Sequence, residues 1–401
     1  MKFLIEFLNR IKLFPYYVVT PIPYALGTAA IDILYGVNKA KMKNKKLIFI
    51  APSVGQKFLN YNICNEALFN GLLVDDFDQN KTFIKKIFSF FINISFFFNR
   101  CIALFLFKFL NIRLSEYYFF SFIGILQSYE EENKIKEKNI NDINKIEFFF
   151  KKNPVSFNST NNEQSLKLLR EIGCQDKQDF VCLHVREGVF RNDGLRRPYR
   201  NSNIKNYYEM INFLLSKNIF VIRMGRKSEK PIEIKNKYLF DLPFSKKKYD
   251  YFDLFLIKNC KFYIGDQSGP TDAAVFFSKD CLKTNMLRLF ELPPTTKKSR
   301  SICKLPFFKK NNKKLNLREY LDLPYIYHHP EFLDNELDFS ENSSEDLYNA
   351  IEEYWHLIYK ENRTSDALNK TQQDFNKDLL GKFEKMYFEK DHDLNKFYRK
   401  K

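Results

Sequence analysis

The chain has 401 residues, enough for two domains with sizeable cores, and 65 Lys+Arg against 48 Asp+Glu leave a formal net charge of +17. That balance draws anionic partners such as phosphates, nucleic acid or an acidic membrane face, although the abundance of Lys, Asn, Ile and Phe also fits an AT-rich coding bias. Seven scattered cysteines (64, 101, 174, 182, 260, 281 and 303) form no CxxC pair, which speaks against a zinc site or disulfide framework and for reduced thiols in a cytoplasmic protein.

In chain order, the opening "MKFLIEFLNRIKLF" carries Glu6, Arg10 and Lys12 and no small-residue cleavage site, so no secretory signal is predicted. "YYVV" reads as a short strand, residues 20–27 as a Pro/Gly loop and the stretch to 37 as a helix. "KKLIFIAPS" is a second buried strand, and "NICNEALFNGL" a helix after it. This alternation predicts a first α/β domain over 1–150. Within it, 83–112 is strongly apolar, yet its longest uncharged run, Ile87 to Asn99, falls short of the roughly 20 residues that span a bilayer. Every charge there is basic. The segment fits either a helix lying in a membrane interface or a buried helix pair.

A charged stretch, 130–153, marks the boundary. Beyond it "DFVCLHVRE", "IFVIRMG", "KYLFDLP", "KFYIG" and "LKTNMLRL" read as five strands with interposed helices, a doubly wound sheet in a second domain over 151–340. "KKSRSICKLPFFKKNNKK" (297–314) reads as a solvated loop or an anionic-lipid patch. The region 341–401 reads as a helix capped by Ser343 or Ser344, followed by a polar tail. The expected fold class is therefore α/β, with two Rossmann-like doubly wound domains.

In such sheets ligands bind beyond the carboxyl ends of the strands. Three loops there favour phosphate. "HVREGVFRNDGLRRPYRN" follows the first strand of the second domain with His184, Arg186, Glu187 and Asp193; "RMGRKSEK" offers Arg223, Gly225, Arg226 and Lys230; "GDQSGP" sets Asp266, Ser268 and Gly269 in a tight turn ahead of a helix, whose amides suit an anion. Each alone has a structural alternative: an ordinary ion-paired arginine, a satisfied histidine on a strand face, a Gly-Pro helix start. Their convergence is what suggests a site.

The ordered series "HVREG", "YRNSNIKNYYEMINFLLSKNIFVIRMG", "DLFLIKNCKFYIGDQSGP" and "LDFSENSSEDLYNAIEEY" resembles a bacterial family of glycosyltransferases linked to surface polysaccharide synthesis, over roughly 180–355. The HxR core is also similar to that of fucosyltransferases of GT-B fold that use a GDP-linked donor. The resemblance implies two domains facing across a cleft, with Arg186 holding the donor pyrophosphate and His184 shaping the same pocket. Ser268 and Gly269 would line the donor loop, and Gly27 and Thr28 of "PYALGTAA" would face the acceptor. It further implies direct transfer from a nucleotide sugar to a glycan or lipid-linked acceptor without a metal or other cofactor. Glu187 and Asp193 are the candidate bases, though those signatures place an acid differently. Asp76 and Asp78 in "VDDFDQ" have the spacing of a metal motif but lie in an early polar loop.

The rival reading is a non-catalytic nucleotide- or nucleic-acid-binding peripheral membrane protein. Nucleic acid is disfavoured because the cations cluster in short loops while the aromatics read as core. The expected place is the cytoplasm, peripheral to the inner membrane face.

Overall fold

The computed structural model describes residues 12, 15–19, 21, 25–49, 64–70, helical positions between 87 and 109, and residues 162–189, 198–287, 296, 298–322 and 336–359. Asp76, Asp78, Asp193, the 130–153 stretch and the tail after 359 lie outside them. Strand β1 (Tyr16–Val19), helix α1 (Leu26–Met42) and strand β2 (Lys46–Phe49) come first, with β1 and β2 parallel, as expected for a βαβ unit. A short helix α2 (Glu66–Asn70) follows.

The larger body contains α3 (Asn162–Glu171), β3 (Phe180–His184), α4 (Tyr208–Ser216), β4 (Phe220–Arg223), β5 (Leu239–Asp241), α5 (Asp250–Asn259), β6 (Tyr263–Gly265), α6 (Gly269–Phe276), β7 (Cys281–Met286) and β8 (Arg300–Cys303). Its six strands are all parallel, in the order β5-β4-β3-β6-β7-β8. Renumbered from its first strand, this is the 3-2-1-4-5-6 order of a Rossmann-type sheet. The order reverses between β3 and β6.

The sequence dictates this sheet through runs that are apolar on both faces. Along β3, Phe180 and Cys182 enter one core with α3, α5 and α6, whereas Val181 and Leu183 enter another with α4 and the C-terminal helix α8 (Ser344–Tyr359). On α4, Met210, Ile211, Leu214 and Leu215 are buried at helical spacing and form its sheet-facing stripe. In α5 five residues between Phe252 and Ile257 are buried, because this helix is covered on its outer side as well.

The cover is the N-terminal unit. Val19, Ala29, Ala30, Ile33 and Leu34 share a core with Leu254 of α5 and Phe276 of α6, so β1, α1 and β2 sit against the outside of the helical layer. Among the described residues there is thus one full doubly wound sheet and a two-stranded parallel one, not two sheets of equal size.

The segment 297–314 differs from the sequence reading. Arg300–Cys303 adds the sixth strand, and β9 (Leu305–Phe308) pairs antiparallel with β10 (Lys313–Lys314) and β11 (Leu337–Ser340). Among its described residues only 309–314 are exposed, in a tight connection, and the lysines there masked the apolar "SIC" and "LPFF" runs. A five-residue helix, α7 (Leu317–Leu321), follows β10 and is closed by a capping box between Asn316 and Glu319.

Candidate functional site

His184 ends β3 and pairs with Gly265, the end of β6, so the HxR segment and the Asp-Gln-Ser-Gly turn lie side by side where the strand order reverses. Asp266 is the hinge between them. Its side chain is 1% exposed; Oδ2 accepts a hydrogen bond from the Arg186 amide at 2.5 Å, and Oδ1 lies 3.4 Å from His184 Nδ1. Ser268 Oγ is 2.9 Å from the same ring nitrogen and 3.2 Å from Thr271 Oγ1, which donates to the Asp266 carbonyl at 2.6 Å. Ser268 stands at the N-cap of α6, and its hydroxyl is turned to His184 and Thr271 instead of capping the helix. The first-turn end of α6, with Pro270 at its start, faces this corner.

Arg186 is half-buried and its guanidinium donates to Asn201 Oδ1, while its carbonyl accepts from the Ser202 amide at 2.8 Å. Arg200, in the turn at 198–200, reaches the Gln267 carbonyl at 3.3 Å. A third cation stands beneath them. Lys304, between β8 and β9, is buried and its ammonium donates to the carbonyls of Tyr199, at 3.1 Å, and Asn201. Burial lowers its pKa, with Glu341 and Asp266 opposing that shift. The rim at the switch point thus brings together two guanidiniums, a buried ammonium, a helix start and a histidine.

No protein-family model, curated protein or solved structure matches the chain. The reading of the site therefore stands on its own chemistry.

Two of the three expected phosphate loops converge. The third does not present its cations. Arg223 is wholly buried; it pairs with Glu187 at 2.9 Å and Asp241 at 3.5 Å and donates to the Lys230 carbonyl at 2.8 Å. Glu187 also accepts from the Glu229 amide at 3.0 Å. The structure therefore gives Arg223 and Glu187 to each other. Arg226 is likewise held by Asp250 and, at 3.0 Å, by Asp253 at the start of α5. Gly225 does stay at the site: its φ of +137° requires glycine, and a Cβ there would stand 3.9 Å from His184 Cδ2.

On the N-terminal side, Gly27 is buried against α6. A Cβ on it would come within 2.1 Å of Asp272 Oδ2 and 2.8 Å of Gly269 Cα, so Gly27 and Gly269 form the close crossing of two helix starts. Thr28 beside it is half-buried. Asp193 lies outside the described residues.

Sequence reasoning missed Lys304, Asn201 and Thr271 as parts of the site. The signal for Lys304 was one lysine inside an apolar "SICKLPFF" run, where a cation must find partners if it is buried. Among the described residues no cluster of three His, Cys, Asp or Glu that could hold a metal occurs. A hollow of about 350 Å³ between α3 and α5, lined by Arg170, Gln178 and Lys258, opens at the amino ends of the strands, opposite the rim.

Proposed function

We propose that the chain is a glycosyltransferase that moves a sugar from a nucleotide-sugar donor, of the GDP-linked class, to a hydroxyl of a glycan or lipid-linked acceptor in surface polysaccharide synthesis. The observation that carries this reading is the meeting of Arg186 and the Ser268–Gly269 helix start across the β3/β6 switch point, the place where α/β sheets of this order take nucleotides. A guanidinium fork and helix amides complement the oxygens of a pyrophosphate, and Lys304 adds positive potential from below.

The reaction is a displacement at the anomeric carbon. The acceptor oxygen forms its bond to that carbon and gives up a proton, while the bond to the β-phosphate oxygen breaks and the nucleoside diphosphate leaves with the electron pair. Charge grows on the leaving phosphate, so fixed cations at the rim favour the transition state over the bound donor. In this reading the N-terminal unit belongs to the acceptor-side lobe of a GT-B-like arrangement, and Arg223 and Glu187 serve the frame.

The place of action we read as the inner membrane face. Between 87 and 109 the helical residues Phe91, Ile94, Phe98, Ile102, Phe105 and Phe109 are all exposed and recur at three- and four-residue spacing, with Phe90 exposed beside them. From 79 to 115 every charged residue is basic: Lys81, Lys85, Lys86, Arg100, Lys108 and Arg113. An apolar stripe flanked by cations alone complements an anionic lipid surface. No helix among the described residues is long and apolar enough to cross a membrane.

The test is a screen of nucleotide sugars for protection against thermal unfolding and for turnover, with Arg186→Ala as control. Protection and turnover by one donor class, both lost in the variant, is the expected result. Absence of protection by every nucleotide sugar, or protection unchanged in Arg186→Ala, overturns the reading.

A further inference from the structure

His184 differs from a merely structural histidine in how its protons are assigned by its neighbours. Thr271 has one hydroxyl proton, and it is given to the Asp266 carbonyl at 2.6 Å. Thr271 Oγ1 can then only accept from Ser268, 3.2 Å away, so the Ser268 proton points to Thr271. What remains for His184 Nδ1, 2.9 Å from Ser268 Oγ, is to donate. Asp266 Oδ1 enforces the same choice. It is buried, takes no other hydrogen bond, and lies 3.4 Å from Nδ1, where a ring lone pair would be repelled by the carboxylate and an N–H attracted.

With the proton on Nδ1, the lone pair is on Nε2. Among the described residues Nε2 has no partner, and a Cβ on Gly225 would stand 3.9 Å from the adjacent Cδ2. The side chain is 13% exposed, enough to be met from the rim. Ser268 and Asp266 share one ring nitrogen, so this is not a relay that activates the serine. The activated atom is Nε2.

We propose that His184 is the general base of the transfer, taking the acceptor's hydroxyl proton on Nε2 as the new glycosidic bond forms, with Asp266 and Ser268 as positioning residues that hold the ring in this tautomer. The proposal rests on the transferase reading of the same site. Electrons and protons balance without a further reagent: the acceptor O–H bond supplies the pair that attacks the anomeric carbon, its proton passes to Nε2, and the diphosphate carries away the pair of the broken bond. The imidazolium so formed faces the Asp266 carboxylate, which stabilises it; Arg186, two residues along the chain, and Lys304, from the β8–β9 junction, are the cations that lie in the field of the same carboxylate.

Two measurements decide the matter. The first needs no substrate: nitrogen NMR of ¹⁵N-histidine protein, in which the chain's 5 histidines are few enough for His184→Gln to assign the signal by difference. A neutral ring protonated on Nδ1 is expected, and one protonated on Nε2 overturns the proposal. The second is kinetic. His184→Gln should retain nucleotide-sugar protection while turnover falls by roughly 10²–10⁴-fold, and the acid limb of the pH–rate profile should disappear. Retained turnover with the acid limb intact rejects His184 as base even if the transferase reading stands. Failure of wild-type protein to bind any nucleotide sugar rejects the transferase reading, and the catalytic role proposed here with it, whatever tautomer the spectrum shows. Should His184→Gln fail to fold, Ser268→Ala replaces it: one histidine should lose Nδ1-protonated population as the rate falls, and an unchanged spectrum with an unchanged rate counts against the proposal.

Discussion

Arg223 and Glu187 meet 2.9 Å apart with the guanidinium fully buried and the carboxylate 7% exposed, under the very strand ends that form the rim. Removing Glu187 leaves the buried Arg223 charge with only the longer pairing to Asp241, at 3.5 Å, to compensate it. Glu187→Gln is therefore expected to lower stability by about 3–5 kcal/mol, and the double change Glu187→Leu with Arg223→Met to restore much of it. A urea unfolding cycle reads both. Loss of turnover at unchanged stability would instead assign Glu187 to the transfer.

Gly27 is the point where α1 crosses α6. Alanine there would meet the Gly269 backbone at 2.8 Å, and backbone yields less readily than a side chain tip. Gly27→Ala should cost about 1–3 kcal/mol, the range of overpacked sites, and lower the melting temperature accordingly. A neutral result would mean that the two helix starts are not in contact.

Asp253 couples the loop after β4 to α5. Burial raises its pKa, Arg226 opposes the rise and Asp250 adds to it, and the outcome is about 7. In the unfolded chain an aspartate titrates near about 3.9. Between these values the folded protein binds the extra proton, so this group's contribution to stability falls as pH rises from about 4 to 7 and is constant outside that window. Asp253→Asn should flatten the dependence of unfolding free energy on pH there, measured by denaturant titration at intervals across the range.

The exposed phenylalanines should behave as an anchor. Replacing Phe90, Phe98 and Phe105 together by serine removes three apolar side chains, each worth about 1.5–3 kcal/mol when buried, and should weaken binding to vesicles containing phosphatidylglycerol by well over tenfold. Binding of the wild-type chain should also weaken as salt is raised, and should be poor on phosphatidylcholine alone. Sedimentation with vesicles reads both. Self-association of the wild type abolished by the same substitutions, with no vesicle binding, would assign the stripe to a second copy.

The sheet was legible because its strands are short apolar runs that end in glycine or in charge, a pattern that local chemistry fixes; β3, β4, β6 and β7 all lie where the sequence places them. The strand β8 was hidden by flanking lysines and its own Arg300, whose solvation outweighs the three residues "SIC" in any local reading. At the site, proximity of His184 and the 266–269 turn followed from two strands ending at one edge. The direction of a guanidinium does not follow from sequence. Arg186 and Arg223 both occupy strand ends, yet one rises to Asn201 and the other turns inward to Glu187, and only the three-dimensional supply of carboxylates separates them. The partners of Lys304 were hidden for a related reason: they are backbone carbonyls, which every residue has.

That lysine also bears on the order in which the molecule matures. The turn carrying Arg200 and Asn201 is tied down by a residue that follows the whole parallel sheet, more than a hundred positions downstream. A ribosome that has delivered the chain through β7 has supplied every other component of the rim, yet its loop at 199–201 still lacks its fastener. Closure of that loop by its two carbonyl hydrogen bonds is thus deferred until the residue after β8 has emerged.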